Sequence, residues 1–303
     1  MSNNKHLIVI GGPTASGKTA LAIGIAQHFD APILSADSRQ FYTEMTIGTA
    51  KATAEELVQA KHYFVNTRSV TEPYTVSDYE KEALQILETI FSQQDVAVMA
   101  GGSGMFIKAV CEGLDEFPEV SEEARGVVEA LFEKGGLEAL QQALEKADPD
   151  YYKTVDLQNS RRLIRALCIC ESSGKPYSSF LKKNTNPRPF TAHYICLNMD
   201  REKLYDRINR RVDLMLANGL LEEARELQQH KELRSLQTVG YAELFDHFDG
   251  KQDLETAVEL IKRNSRRYAK RQLTWFRRDQ HWKWFKEATT EEILQHLKAD
   301  GIT

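Results

Sequence analysis

Gly12-Pro13-Thr14-Ala15-Ser16-Gly17-Lys18-Thr19 follows directly on the apolar run Leu7-Ile8-Val9-Ile10 and leads into Ala20-Leu21-Ala22-Ile23. The octet matches G-x-x-x-x-G-K-[S/T], and a strand before it with a helix after it is the context that pattern needs to bind phosphate. Glycines let successive backbone N–H groups turn inward around phosphate oxygens, and the start of the helix adds a partial positive charge. Lys18 neutralises a terminal phosphate, and the Thr19 hydroxyl is placed to ligate a Mg2+ carried by the ligand. Residues 12–19 therefore specify a diphosphate or triphosphate. A nucleotide such as ATP falls in that class, but hydrolysis of one is not implied.

Outward from this loop, short apolar runs alternate with helical patterns. Residues 7–10, 32–35, 62–65 and 96–100 read as strands; residues 18–29 and 77–91 read as helices, the second capped by Ser77. This rhythm predicts an α/β fold: a P-loop parallel-sheet core with helices on both faces. After Leu114 the strands stop. Residues 122–134, 137–146 and 160–173 fit amphipathic helices, punctuated by Asp148-Pro149 and Gly174-Lys175-Pro176. An all-helical insertion over 115–186 is expected between a first core segment, 1–114, and a second, 187–303. The second opens at Asn186-Pro187-Arg188-Pro189, regains a strand at 194–197, and continues in helices at 202–217, 220–230, 238–248 and 254–276. Residues 282–285 are expected to close the sheet edge.

The chain has 303 residues and a formal charge of −5, with 42% apolar and 27% charged residues, which excludes a disordered or fibrous chain. The total conceals a segregated basic stretch. Residues 259–286 hold ten Lys and Arg against two acids, a local +8 that leaves about −13 for the rest. A polyanion is one partner for such a stretch, and a solvated helix face is the alternative. The four cysteines, Cys111, Cys168, Cys170 and Cys196, form no C-x-x-C pair, so a zinc knuckle is excluded and reduced thiols are expected. No apolar run approaches the ~20 residues that span a bilayer, and no signal-peptide pattern opens the chain. A cytoplasmic protein without membrane contact is expected, with nothing that demands more than a monomer.

Loops at the carboxyl ends of parallel strands line the site of an open sheet. Asp37 follows the second strand, within Ser35-Ala36-Asp37-Ser38-Arg39-Gln40, and Ser103 follows the fourth, within Gly101-Gly102-Ser103-Gly104. The strand at 96–100 ends without the carboxylate that a nucleotide hydrolase uses to hold its metal. Asp37 is thus either a metal carboxylate or a base for other chemistry. Arg207 and Arg211, at i and i+4 on one helix face, suit a diphosphate clamp.

Together these segments resemble the tRNA dimethylallyltransferases, also called tRNA isopentenyltransferases, of bacterial type. The resemblance rests on residues 11–19, on Asp37-Ser38-Arg39-Gln40 followed by Ile47-Gly48-Thr49-Ala50-Lys51, and on Gly101-Gly102-Ser103-Gly104-Met105-Phe106. It continues through Arg161-Arg162-Leu163-Ile164-Arg165, Leu236-Gln237-Thr238-Val239-Gly240-Tyr241 and Lys270-Arg271-Gln272-Leu273-Thr274-Trp275-Phe276-Arg277, so that it covers nearly the whole chain in order. Two departures stand out. Ser103 occupies a position where the family usually has Thr, which keeps the hydroxyl, and Ala52 replaces a usual Pro, which alters loop stiffness.

The resemblance implies transfer of a dimethylallyl group from dimethylallyl diphosphate to the exocyclic N6 amine of the adenosine 3′ to the anticodon. Lys18, Thr19-bound Mg2+, Arg207 and Arg211 would stabilise the leaving diphosphate, Ser103 would bond its bridging oxygen, and Asp37 would take the amine proton. The adenine would have to flip out of its stack to be reached. The anticodon stem-loop would be held by Asp37, Ser38, Arg39, Gln40 and Ser103 near the chemistry, and by Arg125, Arg161, Arg162, Leu163, Ile164 and Arg165 in the insertion. Gln237, Thr238, Gly240, Tyr241, Lys270, Arg271, Gln272, Trp275 and Arg277 would complete the grip. Three other readings share parts of the pattern: an adenylate (AMP or ATP) isopentenyltransferase, a P-loop small-molecule kinase, and a non-catalytic RNA-binding protein. The helical insertion, the missing strand-end carboxylate and the intact Lys18, Thr19 and Asp37 argue against each in turn.

Overall fold

The structure, a computed structural model, describes residues 4–181 and 187–302. Among them, strands β1 (His6–Gly11), β2 (Ile33–Ser35), β3 (His62–Tyr63), β4 (Val96–Ala100), β5 (Thr191–Asn198) and β6 (Lys283–Lys286) form one sheet. Their order is β3-β2-β4-β1-β5-β6, and every neighbouring pair is parallel. The helices are α1 (Lys18–His28), α2 (Ala54–Gln59), α3 (Val76–Phe91), α4 (Gly104–Glu112), α5 (Glu122–Ala147), α6 (Pro149–Tyr152), α7 (Ser160–Ser173), α8 (Arg201–Ala217), α9 (Leu220–Glu226), α10 (Tyr241–Phe248), α11 (Leu254–Phe276) and α12 (Thr290–Ala299).

Central β1 shows why the sheet is covered on both faces. Successive side chains of a strand point to opposite faces. Leu7 and Val9 join an apolar cluster with residues of α3, α4, α10 and α11, while Ile8 and Ile10 join a second cluster with α1 and α12. All four are fully buried, as a parallel strand sandwiched between helical layers requires. The expected P-loop α/β core with helices on both faces is present.

The chain divides into two compact units, Met1–Glu112 with Arg188–Thr303, and Gly113–Pro187. The second unit is all helical and has its own core, in which Val128, Leu140 and Leu144 of α5 meet Leu163, Ala166 and Leu167 of α7. α5 is interrupted at Gly136, whose φ of 61° and ψ of −152° leave helical space, so the two helices expected over 122–146 are a kinked pair. Position 186, where the insertion was expected to end, lies outside the described residues.

Several local expectations are corrected. α3 starts at Val76 rather than Ser77: Thr75 is its cap, accepting from Asp78 N–H while the Asp78 carboxylate accepts from Thr75 N–H. The helix expected over 220–230 ends at Glu226 and is followed by a 3-10 turn at Gln228–His230. The one expected from 238 begins at Tyr241. α2, α4, α6 and α12 lay outside the expected elements. Among the described residues the four cysteines are free, and no helix is long and apolar enough to cross a membrane.

Candidate active site

The chemistry-bearing loops gather where the sheet theory places them, beyond the carboxyl ends of β1, β2 and β4. β1 delivers the P-loop, β2 delivers Asp37 to Gln40, and β4 delivers Gly101 to Gly104. The last two loops touch directly. A β-carbon on Gly101 would stand 2.1 Å from the Ala36 carbonyl oxygen, so only glycine fits there. The Ser103 N–H donates to that same carbonyl at 3.1 Å, and the Ser38 N–H donates to Ser103 Oγ at 3.1 Å.

α1 begins without a side-chain cap, and no acid lies in its first turn. α2, α3 and α12, by contrast, each close their first turn with a reciprocal Thr–Glu or Thr–Asp box. The first N–H groups of α1 are therefore open to an anion, with the helix dipole behind them. Ser16 Oγ, inside the loop, is buried with no hydrogen-bond partner among the described residues. An unpaired buried hydroxyl fits a loop whose polar groups are completed by a phosphate ligand.

Lys18 Nζ donates to the Pro13 carbonyl at 2.7 Å. Burial and the nearby Arg211 guanidinium depress its pKa to about 8, against an opposing pull from Asp37. Arg211 donates to Thr14 Oγ1 at 3.2 Å; burial is also the chief cause that lowers its own pKa. Two confined cations beside an open helix start make a strongly anion-seeking point.

A cavity of about 280 Å3 opens from this point. Its polar lining includes Thr14, Lys18, Thr19, Asp37 and Arg211. Its apolar lining is Ile208, Val212 and Met215 of α8, Leu220 of α9, then Val239 and Ile261. Arg207 does not share this cavity. It borders a neighbouring one of about 310 Å3, along with Ser16, Gly17 and Thr289, so the i,i+4 arginines flank the P-loop on two sides.

Asp37 sits at the cavity's edge, where one carboxylate oxygen accepts from the Arg39 N–H at 2.9 Å. That bond orients the group, and among the described residues the second oxygen has no hydrogen-bond partner. Tyr268 on α11 lines the same cavity, close to Ser103 and Asp37. Its phenol is pushed up to about 12, first by burial and then by the Asp37 charge. Tyr268 was missed in the sequence. It is one aromatic residue among basic ones, and its register toward the sheet becomes legible only once α11 is docked.

The structure sorts the residues expected to hold RNA. Asp37, Ser38, Arg39, Gln40, Thr238, Gly240 and Gln272 line the cavity. Arg125, Arg161, Arg162, Arg165, Gln237, Lys270, Arg271 and Arg277 are exposed on their own units, and Trp275 is half-buried against Gly104. Five are taken up by packing within the protein. Leu163 belongs to the insertion's core, with Ile164 packed beside it. Gly240 and Tyr241 are buried, the Tyr241 hydroxyl donating to Glu223 Oε1 at 2.6 Å. Gln272 is also buried: its oxygen accepts from the Thr14 N–H at 2.9 Å and its nitrogen donates to the Gly102 carbonyl at 3.0 Å. It joins the P-loop to the Gly-rich loop. Lys51 is likewise structural, its ammonium donating to the Thr43 carbonyl and to Asn66 Oδ1.

The IPP transferase family profile matches residues 40–279. The chain belongs to the IPP transferase family. A tRNA dimethylallyltransferase of Christiangramia forsetii is 53% identical to this IPP transferase over 300 residues, 99% of each chain. The crystal structure of the full-length tRNA isopentenylpyrophosphate transferase of Bacillus halodurans is 36% identical, with a TM-score of 0.72 over 98% of this chain and 96% of that one. A eukaryotic dimethylallyltransferase, crystallised acting on tRNA, shares the fold at a TM-score of 0.80 with 24% identity, over 95% of this IPP transferase and 75% of that chain. As a member of the family this chain is a prenyl-transferring enzyme.

Proposed function

We propose that this protein transfers a dimethylallyl group from dimethylallyl diphosphate to the N6 amine of the adenosine 3′-adjacent to the anticodon of tRNA. The observation that carries the reading is the cavity's mixed lining. The Lys18 and Arg211 cations, the aliphatic side chains Ile208, Val212, Leu220 and Ile261, and the Asp37 carboxylate all line one cavity. A diphosphate bearing a short hydrocarbon combines the same two characters. A kinase pocket would need room for a second phosphorylated partner rather than an aliphatic lining.

The donor's diphosphate lies in the P-loop against Lys18 and Arg211, its five-carbon group against Ile208, Val212 and Leu220. The adenine enters at the Asp37 side. The amine lone pair forms the N–C bond as the donor's C–O bond breaks, and the bond pair leaves on the diphosphate. Lys18 and Arg211 stabilise that growing charge, with Arg207 at the loop's flank. The Ser103 hydroxyl donates toward the bridging oxygen, and the free Asp37 oxygen takes the proton from N6.

The donor set fits a Mg2+ held largely by substrate phosphates. Thr19 is an exposed hydroxyl at the first turn of α1, and Asp37 is the cavity's sole carboxylate among the described residues. A bound Mg2+ would add charge neutralisation at the diphosphate.

Grip on the RNA is assigned to exposed bases. Arg263, Arg267, Lys270, Arg271, Arg277 and Arg278 are all exposed and pair with no carboxylate among the described residues. Lys262 and Arg266 of the same stretch are tied to Asp213 and Asn209. Unpaired cations held on one helix and its end are what a phosphate backbone requires. In the insertion, Arg161, Arg162 and Arg165 offer a second set. The protein is expected to act as a monomer in the cytoplasm.

The test is a transfer assay with labelled dimethylallyl diphosphate and Mg2+, one sample holding unmodified tRNA and the other AMP. Label in tRNA alone is expected. Label in AMP alone would identify a cytokinin-type adenylate enzyme and reduce the basic helix to a solvated face. Label in neither, with ATP turnover, would return the kinase reading.

A further inference from the structure

Glu223, on α9, is absent from every motif considered above, yet its carboxylate is among the most fully engaged in the structure. Oε2 accepts from the N–H groups of Thr46 at 2.9 Å and Ile47 at 2.7 Å; Oε1 accepts from the Gly48 N–H at 2.9 Å and from the Tyr241 hydroxyl at 2.6 Å. Four donors converge on its two oxygens. The loop so held also packs tightly. A β-carbon on Gly48 would meet the Tyr241 ring at 2.6 Å.

What the clamped loop does next gives Glu223 its role. The carbonyls of Thr49 and Ala50 each accept from Gln40 Nε2 at 3.3 Å. Gln40 Oε1 in turn accepts from Ser35 Oγ, at the end of β2, at 3.0 Å. Gln40 closes the short segment that carries Asp37 and Ser38, so the loop's far side fixes the near side of the site. Gly48, Thr49 and Ala50 themselves line the cavity.

We infer that Glu223 is a positioning residue for Asp37: through the Thr46–Ala50 loop and Gln40 it sets where the carboxylate meets the acceptor amine. The inference rests on the reading of Asp37 as the base. None of these bonds reaches the P-loop, so the effect is expected on turnover rather than on diphosphate binding.

Glu223→Gln tests this with little change of volume. The amide keeps one acceptor oxygen but turns N–H groups toward two donors. The expected result is a kcat for tRNA prenylation reduced about 10- to 100-fold, as for a reacting group displaced by roughly an ångström. The Kd for dimethylallyl diphosphate should stay within about twofold. Glu223→Asp, which keeps both oxygens on a shorter stem, should recover part of the loss. Gln40→Ala breaks the next link. The double variant with Glu223→Gln should be no slower than the worse single one, because both cut the same chain.

Unchanged kcat in Glu223→Gln would overturn the inference. So would a donor Kd that worsens in step with kcat, or losses that simply multiply in the double variant. Should Glu223→Gln fail to fold, Glu223→Asp and Gln40→Ala carry the same expectation of lost kcat at constant donor Kd. Asp37→Ala is measured alongside. Full turnover in that variant would remove the base assignment itself, a failure separable from that of Glu223.

Discussion

Thr14 and Gln272 stand 258 positions apart in the chain and are joined by one hydrogen bond, from the Thr14 N–H to Gln272 Oε1 at 2.9 Å. The same amide reaches Gly102 with its other end. A residue that the motif suggested for RNA thus holds two active-site loops in register. Gln272→Ala orphans one donor and one acceptor in a buried place, at a cost of about 1–3 kcal/mol. Urea unfolding should show that loss, and calorimetry should show weaker binding of dimethylallyl diphosphate. Wild-type stability in this variant would contradict the bracing role.

Asp37→Asn preserves shape and the bond to the Arg39 N–H while removing the proton acceptor. Turnover on tRNA should fall about 10²- to 10⁴-fold, the usual range for losing a general base. Donor affinity should hold. Steady-state kinetics paired with a donor titration separate the two quantities.

Lys18 is the pH-sensitive member of the anion point. Its pKa is lowered to about 8, so its charge is present below that value and lost as the pH rises through it. Donor affinity should therefore be flat from pH 7 to 7.5 and weaken about tenfold by pH 9. Lys18→Met should bind weakly at every pH and lose this dependence. Calorimetric Kd values across the range decide the matter; a flat wild-type profile would count against a role for the Lys18 charge.

Salt should report on the basic face of α11. Each phosphate contact adds roughly 0.7–0.9 to the slope of log affinity against log salt. Removing Lys270 and Arg271 together should lower the tRNA-binding slope by about 1–2 and leave donor affinity unchanged. A slope near zero in the wild-type protein would return these side chains to the role of a solvated face.

The order in which these features become legible follows the range of the forces involved. The P-loop, β4 and α11 are specified by local patterning, and their expected bounds nearly coincide with those observed. Asp37 and Ser103 follow from one further rule, that loops at strand carboxyl ends converge. The cap of α3 was misplaced by two positions because Ser77 and Thr75 are chemically alike; the reciprocal bond with Asp78 selects Thr75. Glu223, Tyr268 and Gln272 were hidden for a different reason. Each sits on a helix, and its role depends on a partner more than 150 positions away. No local pattern encodes which polar residue of an amphipathic helix turns inward, because the tertiary partner decides it.

The pairing of β5 with β1 bears on how the chain is made. β1 spans residues 6–11 and aligns with residues 191–196 through His6↔Thr191 to Gly11↔Cys196. During synthesis β4 can cover one side of β1 early, but the other side has no mate until nearly two-thirds of the polypeptide has left the ribosome. In that interval a strand of four consecutive aliphatic residues offers an open edge, a ready template for another nascent chain. The helical unit Gly113–Pro187, with a separate core, emerges within that same interval. Truncated products ending before residue 191 are accordingly the ones expected to need chaperone protection.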